Sequence, residues 1–272
     1  MFFGLRLAFF GMSRRRPPTT SVIPGTTFTL ASNVNVGIEA RAVPPGHVYW
    51  TLSHVCLGFT PADPEYEDVK YPGTVGSDLL WGDEYRFGRD DGRLRSFYLT
   101  VPTSTMRWGR ADAYIKLPLD HAGSLVLSKR GDCGGPISTV AAFDPLGSAL
   151  VALYPTARSS APNRRFNIAD GLDLLCDGSA CSGWILHRPA EVLVEGGRER
   201  HHGKERMSVD PEVLGFIDRF LGLLQEPVYD GDRRPNGELR RDLEQLHAAV
   251  RGSPESRATA VLLTHIRRCI GE

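Results

Sequence analysis

The sequence predicts a mainly β protein followed by a small helical region, on three observations. Between Thr26 and Gly196 the chain is a series of short apolar or alternating runs bounded by Gly, Pro, Asp or Asn, a pattern typical of half-buried strands. No helix separates these runs, which favours a closed barrel or a sandwich over a parallel sheet. After the highly polar segment 196–206, apolar residues recur at helical spacing.

The strand predictions rest on runs rich in Val, Ile, Leu, Thr and aromatic residues. The nine predicted strands are TTFTLAS (26–32), VNVGIEARAV (34–43), HVYWTLS (47–53), RSFYLTV (95–101), DAYIKLPL (112–119), GSLVLS (123–128), ISTVAAF (137–143), SALVALY (148–154) and EVLVE (191–195).

Three helices are predicted after the polar segment. The first is expected to be capped by Ser208 or Asp210, to have Pro211 in its first turn and to end by Pro227. Each helix has one apolar face, and the members of these faces are Val213, Ile217, Phe220, Leu221 and Leu224, then Leu239, Leu243, Leu246 and Val250, then Val261, Leu262 and Ile266. The chain therefore divides into an N-terminal arm or linker (1–25), a β domain (26–196) and a helical domain (207–272).

The composition gives no electrostatic reason to expect nucleic acid or an anionic membrane as a partner. The 272 residues contain 32 basic and 32 acidic side chains, so the formal net charge is zero and there is no strong nucleic-acid signal. Five scattered cysteines do not form a disulfide framework, which favours a reducing, cytoplasmic compartment. The apolar start 1–12 is broken by Arg6 and is too short to span a bilayer; we expect a disordered arm, and weak membrane association through 1–12 stays open.

The motif GDCGGP, residues 131–136, places a cysteine among glycines that offer no side chain for packing. An acyl-transfer nucleophile needs open approach and backbone N–H donors aimed at the developing oxyanion. The N–H groups of Gly131 and Cys133 could supply these donors, and a histidine would be needed to generate the thiolate. From the residues alone, a buried structural cysteine in a turn is an equally good interpretation.

GDCGGP resembles the nucleophile motif of chymotrypsin-fold peptidases (the PA clan), and most closely the cysteine proteases of positive-strand RNA viruses. YWTLSHVCL (49–57) is similar to the segment that carries their catalytic histidine, here His54. SALVALYPTA (148–157) resembles the strand that lines the P1 pocket, and RRFNIADGLDLL (164–175) resembles the closing segment. The resemblance implies two antiparallel six-stranded β-barrels and a cysteine endopeptidase that processes a viral polyprotein, with Gly131 and Cys133 forming the oxyanion hole.

Two residues are candidates for the acid that orients His54. Asp78 lies 55 residues before Cys133, which leaves room for most of a second barrel, whereas Asp112 leaves only 21. A strand residue spans about 3.3 Å, so 21 residues build three short strands at most. We choose Asp78 as the third member of a Cys–His–Asp triad. An Asp in a surface turn, with a Cys–His dyad alone, is the alternative.

The strand that follows the predicted nucleophile indicates which P1 side chain of a substrate is preferred. The resemblance places Ala152, Leu153 and Tyr154 in the substrate-binding wall, with Tyr154 at about the position where related viral proteases carry a histidine that reads Gln or Glu. An aromatic residue there implies a preference for a small or apolar P1 side chain.

No cofactor is predicted, and no metal site is assigned. Cys176, Cys181 and His187 could supply three ligands to a structural zinc, but a closed site needs a fourth, for which only Cys56, His201 or His202 are candidates. The partner implied by the resemblance is a polypeptide substrate, including the chain's own polyprotein, and the C-terminal helices leave a homodimer open. Two other functions compete: a bacterial trypsin-fold peptidase and an inactive barrel that serves as a protein-binding module.

Overall fold

Two β-sheets and four helices make up the part of the chain that the computed structural model describes. This part comprises residues 22–31, 34–40, 48–52, 54–57, 74–75, 83–88, 90–102, 104, 106–128, 138–144, 146–155, 161–194, 210–224 and 237–271. It is mainly β, with three helices at its C-terminal end, which confirms the coarse prediction.

The strands in chain order are β1 (Phe28–Ala31), β2 (Val34–Glu39), β3 (Val48–Trp50), β4 (His54–Leu57), β5 (Thr74–Val75), β6 (Glu84–Gly88), β7 (Leu94–Thr100), β8 (Leu119–Ala122), β9 (Ser124–Leu127), β10 (Val140–Phe143), β11 (Ala149–Leu153), β12 (Arg164–Ala169), β13 (Leu172–Asp177) and β14 (Ala180–His187). The helices are α1 (Trp108–Ile115), α2 (Pro211–Leu223), α3 (Gly237–Gly252) and α4 (Arg257–Ile270).

Sheet A is a curled half-barrel with the strand order β8-β12-β13-β14-β1-β2-β9, and β11 joins it by pairing with both β10 and β14. Sheet B has the order β3-β4-β7-β6-β5. The two six-stranded barrels that the resemblance implies are not confirmed. The N-terminal strands β1 and β2 hydrogen-bond to β14 and β9, which come from the later part of the chain, rather than to sheet B.

The main core lies between the two sheets. Alternation in β7 points Phe97 and Leu99 inward, where they join Trp50 of sheet B, and Trp50 stacks on Phe143 of sheet A with 5.9 Å between ring centroids. Close approach of β11 to β14 requires glycine at position 183, because a Cβ there would lie 2.3 Å from the carbonyl oxygen of Ala152.

A second, smaller core covers the outer face of sheet A. Helix α1 packs Ala111 and Tyr114 against a patch made of Ala142, Ala149, Val151, Leu153, Leu175 and Ile185. The prediction of a strand at 112–119 is wrong over most of its length: Trp108, Ala111, Tyr114 and Ile115 recur at helical spacing, and only Leu119 enters a strand.

Other strand assignments also need correction. The predicted strand 191–195 contains the end of a 3₁₀ turn, Pro189–Val192, which Pro189 starts. The segment 164–175, expected to close the fold as a strand followed by a turn or helix, forms most of the antiparallel hairpin β12–β13. β5, β6 and β14 were not predicted. Val22 and Ile23, assigned to the linker, pair with Glu39 and Ile38 of β2.

The three C-terminal helices are confirmed, and they pack on one another. Asp210 caps α2 by accepting a hydrogen bond from the Glu212 N–H, and Pro211 occupies the first turn as predicted. Leu214 of α2 packs against Gly147, which has a φ of 71° and lies in the turn between β10 and β11. None of the described helices has both the length and the apolar character required to cross a membrane.

Candidate functional site

Of the predicted catalytic residues, His54 is the one that lies among the residues that the structure describes. The hairpin from β3 to β4 turns sharply at Leu52, which has a φ of 67°, and the turn is closed by a 2.9 Å hydrogen bond from the Thr51 N–H to the His54 carbonyl. His54 therefore begins a new strand instead of ending the preceding one. It lies opposite Thr100 of β7, and its ring centroid is 4.2 Å from that of Tyr98.

Burial determines the protonation state of this histidine. Desolvation lowers the pKa of His54 to about 4, so the imidazole is neutral at neutral pH. The neutral imidazole is the form that accepts a proton as a general base. A pKa of about 4 makes it a weak base, and an orienting carboxylate such as the predicted Asp78 would raise that pKa toward the range in which general bases act.

The remaining triad residues cannot be placed. Asp78, Gly131 and Cys133 lie outside the described residues, so the predicted triad and oxyanion hole stay predictions. The first described residue after the GDCGGP motif is Ser138, which is buried.

Asp112, the second candidate for the orienting acid, is not positioned to orient the imidazole of His54. It lies on α1, where it forms an ion pair with Lys116 four residues further along the helix. Helix α1 covers the outer face of sheet A, so that sheet separates Asp112 from sheet B and from His54.

The three predicted substrate-binding residues lie in β11 or directly after it, but they do not share a face. Leu153 packs in the outer core beneath α1, whereas Ala152 and Tyr154 face the core between the sheets. Tyr154 is 1% exposed, and its hydroxyl is hydrogen-bonded to Asp83 and lies 3.1 Å from the hydroxyl of Tyr85. Their role in the P1 pocket stays a prediction.

A buried polar network centred on Asp83 crosses the interface between the sheets. Asp83, directly before β6, is 0% exposed. Its Oδ1 accepts a 2.7 Å hydrogen bond from the Thr100 N–H, and its Oδ2 accepts hydrogen bonds from the Tyr154 hydroxyl at 2.8 Å and the Ser138 hydroxyl at 3.1 Å. Ser138 in turn accepts a 3.1 Å hydrogen bond from Nε1 of Trp184.

The environment of this carboxyl changes its pKa. Burial raises the pKa of Asp83 to about 7, against the opposing effect of the hydrogen bonds from Thr100, Tyr154 and Ser138. Buried carboxyls with pKa values near neutrality are concentrated at functional sites, although structural networks also produce them.

Asp83 and His54 lie on opposite faces of sheet B. The register pairs Val55 with Leu99 on the face that packs against sheet A, whereas the His54 ring lies against the tilted ring of Tyr98 on the other face. The Asp83 side chain accepts hydrogen bonds from Ser138 and Tyr154, which lie next to strands of sheet A. It therefore reaches the histidine-bearing strands through the backbone of Thr100 and not through the imidazole.

Sequence reasoning did not identify the Asp83 network. The local sequence GDEYRFG has the appearance of a turn followed by a strand, and an aspartate in that context is usually exposed. Its partners Ser138, Tyr154 and Trp184 come from distant parts of the chain, so no local spacing signals the cluster.

Three of the candidate zinc ligands, Cys176, Cys181 and His187, are not brought together, and His201, His202 and the side chain of Cys56 lie outside the described residues. Cys176 and Cys181 face each other across the β13–β14 hairpin, and both are buried. His187 lies at the opposite end of β14, where its Nε2 is 2.7 Å from Oδ2 of Asp173. Among the residues described, no group of three or more His, Cys, Asp or Glu side chains is arranged to hold a metal ion.

Asp173 is the centre of a second polar cluster, which lies on the outer face of sheet A. Besides His187, it accepts a 2.8 Å hydrogen bond from Asn167 and forms a 3.3 Å ion pair with Arg165. Burial alone would raise the pKa of Asp173, but the hydrogen bonds and charges of these partners hold it below its ordinary value.

Comparison with models of known protein families finds no family that matches the chain. A search among curated proteins likewise finds no relative.

Proposed function

We propose that this chain is a cysteine endopeptidase with Cys133 as nucleophile, His54 as general base and Asp78 as the acid that orients the imidazole. The observation that carries the proposal is the state of His54. It is an imidazole at the start of a strand, kept neutral at neutral pH by burial, in a chain that also contains the motif GDCGGP.

The Asp83 network supports the same proposal through connectivity. Thr100, which is opposite His54, and Ser138, which follows Cys133 by five residues, are hydrogen-bonded to one carboxyl group. The strand that lies opposite His54 and the segment that follows Cys133 are thereby joined through one buried group, while the imidazole itself lies on the other face of sheet B. In the proposed architecture, sheet B and the later strands of sheet A correspond to the two barrels of the chymotrypsin fold.

The proposed chemistry is acyl transfer to sulfur. His54 removes the proton from the Cys133 thiol, and the thiolate attacks the carbonyl carbon of the scissile peptide bond. The N–H groups of Gly131 and Cys133 donate hydrogen bonds to the oxyanion, and loss of one such donor costs about 3 kcal/mol of barrier. The C–N bond breaks as His54 returns the proton to the leaving amine, and water then hydrolyses the thioester.

The proposed substrate is a polypeptide, including the viral polyprotein of which the chain would be a part, cut after a small or apolar P1 residue. Dominant cleavage after Gln or Glu in a peptide library would overturn the specificity but not the mechanism.

Self-cleavage of a longer precursor tests the function. We expect cleavage in the wild type and its loss in Cys133→Ala and His54→Ala. The matched controls are Cys269→Ala, a half-buried cysteine of α4, and His121→Ala, a half-buried histidine of β8, both of which should cleave normally. Persistent cleavage in Cys133→Ala would overturn the proposal.

Selective labelling separates the enzyme from an inactive binding module. Iodoacetamide should modify Cys133 faster than Cys269, and this advantage should disappear in His54→Ala. Equal labelling of the two cysteines in the wild type would favour the binding module.

A further inference from the structure

The described hydrogen bonds of Asp83 run toward its carboxyl group. The Thr100 N–H can only donate. Trp184 Nε1 can also only donate, so the Ser138 hydroxyl accepts from it and donates its own proton to Asp83. The Tyr154 hydroxyl donates to the same oxygen and is left to accept from the Tyr85 hydroxyl, 3.1 Å away. Two chains of hydrogen bonds, one from Trp184 through Ser138 and one from Tyr85 through Tyr154, thus end at the Asp83 carboxyl group, together with one backbone N–H.

These donors come from both sheets. Thr100 and Tyr85 belong to β7 and β6 of sheet B. Ser138, Tyr154 and Trp184 lie in β14 or next to β10 and β11, all of sheet A. The side chains of Tyr85, Ser138, Tyr154 and Trp184 are buried, and hydrogen bonds in such surroundings are strengthened, so the carboxyl holds one sheet in position relative to the other.

The two ends of the network are related to the two halves of the proposed active site, one through the β4–β7 ladder and the other through the sequence. Thr100 and His54 are directly opposite each other in the β4–β7 ladder. Ser138 is separated from Cys133 by four residues, two of which are Gly134 and Gly135. A displacement of Ser138 relative to Thr100 would therefore change the separation between the segments that carry the thiol and the imidazole.

We propose that Asp83 is a positioning residue, whose carboxylate holds the His54-bearing strands and the segment that follows Cys133 in the relative position that thiol activation needs. This inference rests on the proposed function. It assigns no contact between Asp83 and the reacting atoms, and it is separate from the role of Asp78.

The ionisation state of Asp83 should control this positioning. A neutral carboxyl has one O–H donor, and this donor would face groups that already donate, so at least one bond of the network must be lost. The described titratable groups around the carboxyl are Tyr85 of β6 and Tyr154, which directly follows β11, and beyond these tyrosines lie Cys176 of β13 and Cys181 of β14. Among the described contacts, β7 contributes the backbone N–H of Thr100. Burial raises the pKa of Tyr85, Tyr154 and Cys176, which leaves them neutral near pH 7.

The predicted signature is a pH dependence that the histidine cannot produce. The pKa of His54 is about 4 and that of Asp83 about 7. A loss of thiol reactivity between pH 8 and pH 6 that depends on Asp83 would therefore report the carboxyl.

The test measures the alkylation rate of Cys133 by iodoacetamide from pH 5 to pH 9 in the full chain. The variants are Asp83→Asn and, as the matched control, Asp173→Asn, which changes a buried carboxyl on the other face of sheet A. We expect Asp83→Asn to slow alkylation at pH 7.5 by about tenfold or more, since small misplacements of reacting groups have effects of this size. It should also remove the part of the rate change near pH 7 that ionisation of the Cys133 thiol does not produce, and Asp173→Asn should follow the wild type.

Two results would overturn the inference, and they are distinguishable. If the wild-type rate falls in His54→Ala but Asp83→Asn keeps the wild-type rate and pH profile, the proposed function stands and Asp83 is only structural. If the wild-type Cys133 reacts no faster than in His54→Ala, the proposed function fails and the positioning role fails with it.

A second variant covers the case in which Asp83→Asn does not fold. Ser138→Ala removes one donor and leaves the carboxyl, and Ser138→Thr restores a hydroxyl at the same position. Reduced alkylation in Ser138→Ala with recovery in Ser138→Thr supports the inference, whereas wild-type rates in both variants contradict it. Faster hydrogen exchange of the Thr100 amide should accompany any loss of reactivity.

Discussion

Asp83 and Asp173 are both buried carboxyls in strand-rich surroundings, yet their pKa values move in opposite directions. Asp83 is 0% exposed and Asp173 is 3% exposed, so burial is similar. The pKa of Asp83 is raised to about 7, whereas that of Asp173 is lowered. The described hydrogen-bond partners of Asp83 are neutral donors, whereas Asp173 has the guanidinium of Arg165 and the ring of His187 beside it.

The difference shows that burial by itself does not fix the charge of an aspartate. The neutral donors around Asp83 offset only part of the desolvation penalty of the carboxylate. At Asp173 the hydrogen bonds from His187 and Asn167, together with the charges of His187 and Arg165, more than offset it. Asp173 therefore stays ionised and joins β12, β13 and β14 on the outer face of sheet A. Asp83 is poised to change its charge near neutral pH, at the interface between the two sheets.

The largest expected effect comes from deleting each carboxyl. At pH 7, Asp83→Ala should lower the free energy of unfolding by about 3–5 kcal/mol, because several buried donors lose their acceptor. Asp173→Ala should cost less, about 1–3 kcal/mol, since the Arg165 and His187 side chains are 16% and 28% exposed and can reach water. Urea denaturation measures both values. An equal or larger loss of unfolding free energy in Asp173→Ala would contradict the expected difference between the two carboxyls.

The pH dependence of stability should have opposite signs for the two residues. In the unfolded chain both pKa values lie near 4. Folding raises that of Asp83, so its contribution is full below about pH 4 and is lost as the pH rises to about 7, a change on the order of 4 kcal/mol. Folding lowers the pKa of Asp173, so its contribution is present above about pH 4 and is lost as the pH falls further.

Asp83→Asn and Asp173→Asn isolate these contributions. The difference in unfolding free energy between wild type and Asp83→Asn should fall from pH 4 to pH 7 and stay constant above that. For Asp173→Asn the difference should rise from pH 2 to pH 4 and then stay constant. Denaturation series at each pH measure both curves, and slopes of the same sign would show that the two sites are equivalent.

Removing a single donor sharpens the comparison. Tyr154→Phe should cost about 1–3 kcal/mol, because a hydrogen bond to the buried carboxyl is lost. The same change should raise the pKa of Asp83 further, since this hydrogen bond favours the ionised form, and the midpoint of the pH-dependent change in stability should move upward. Tyr114→Phe on α1 is the matched control and should leave this midpoint unchanged.

The smallest effect is expected at the surface. Lys116→Ala removes the ion pair with Asp112 on α1, where the two side chains are 72% and 38% exposed. Such pairs contribute about 0.3–0.5 kcal/mol, and solvent and salt screen them. Thermal denaturation should show little change, and a loss comparable to that of Tyr154→Phe would mean that α1 is held by charge instead of by its apolar face.

Elements with one clear period were predictable from the sequence. The three C-terminal helices have apolar stripes, and the stop and start signals around Pro211 and Gly252 agree with their bounds. Strands such as 94–100 and 149–153 are similarly clear. The strand prediction at 112–119 is wrong because Ala111, Tyr114 and Ile115 recur at helical spacing. β14 was not predicted, and it contains Gly183 in its interior, where glycine weakens the strand pattern.

The candidate site was only partly predictable. His54 was singled out by resemblance, but its position after a hairpin turn depends on Leu52 adopting a left-handed conformation, which few sequence patterns indicate. Asp83 had no sequence signal, because the burial of a carboxyl depends on what packs over it.

The sequence by itself determined which segments become strands or helices wherever a single hydrophobic period dominated. Burial of one apolar face stabilises an element with that period, whichever part of the protein the face packs against. Only the tertiary structure decided which strands pair and which polar groups are enclosed. Sheet A joins β1 and β2 to strands more than 80 residues away, and Asp83 meets Tyr154 71 residues further on. Such contacts, and the charges they set, arise from long-range packing that no local pattern encodes.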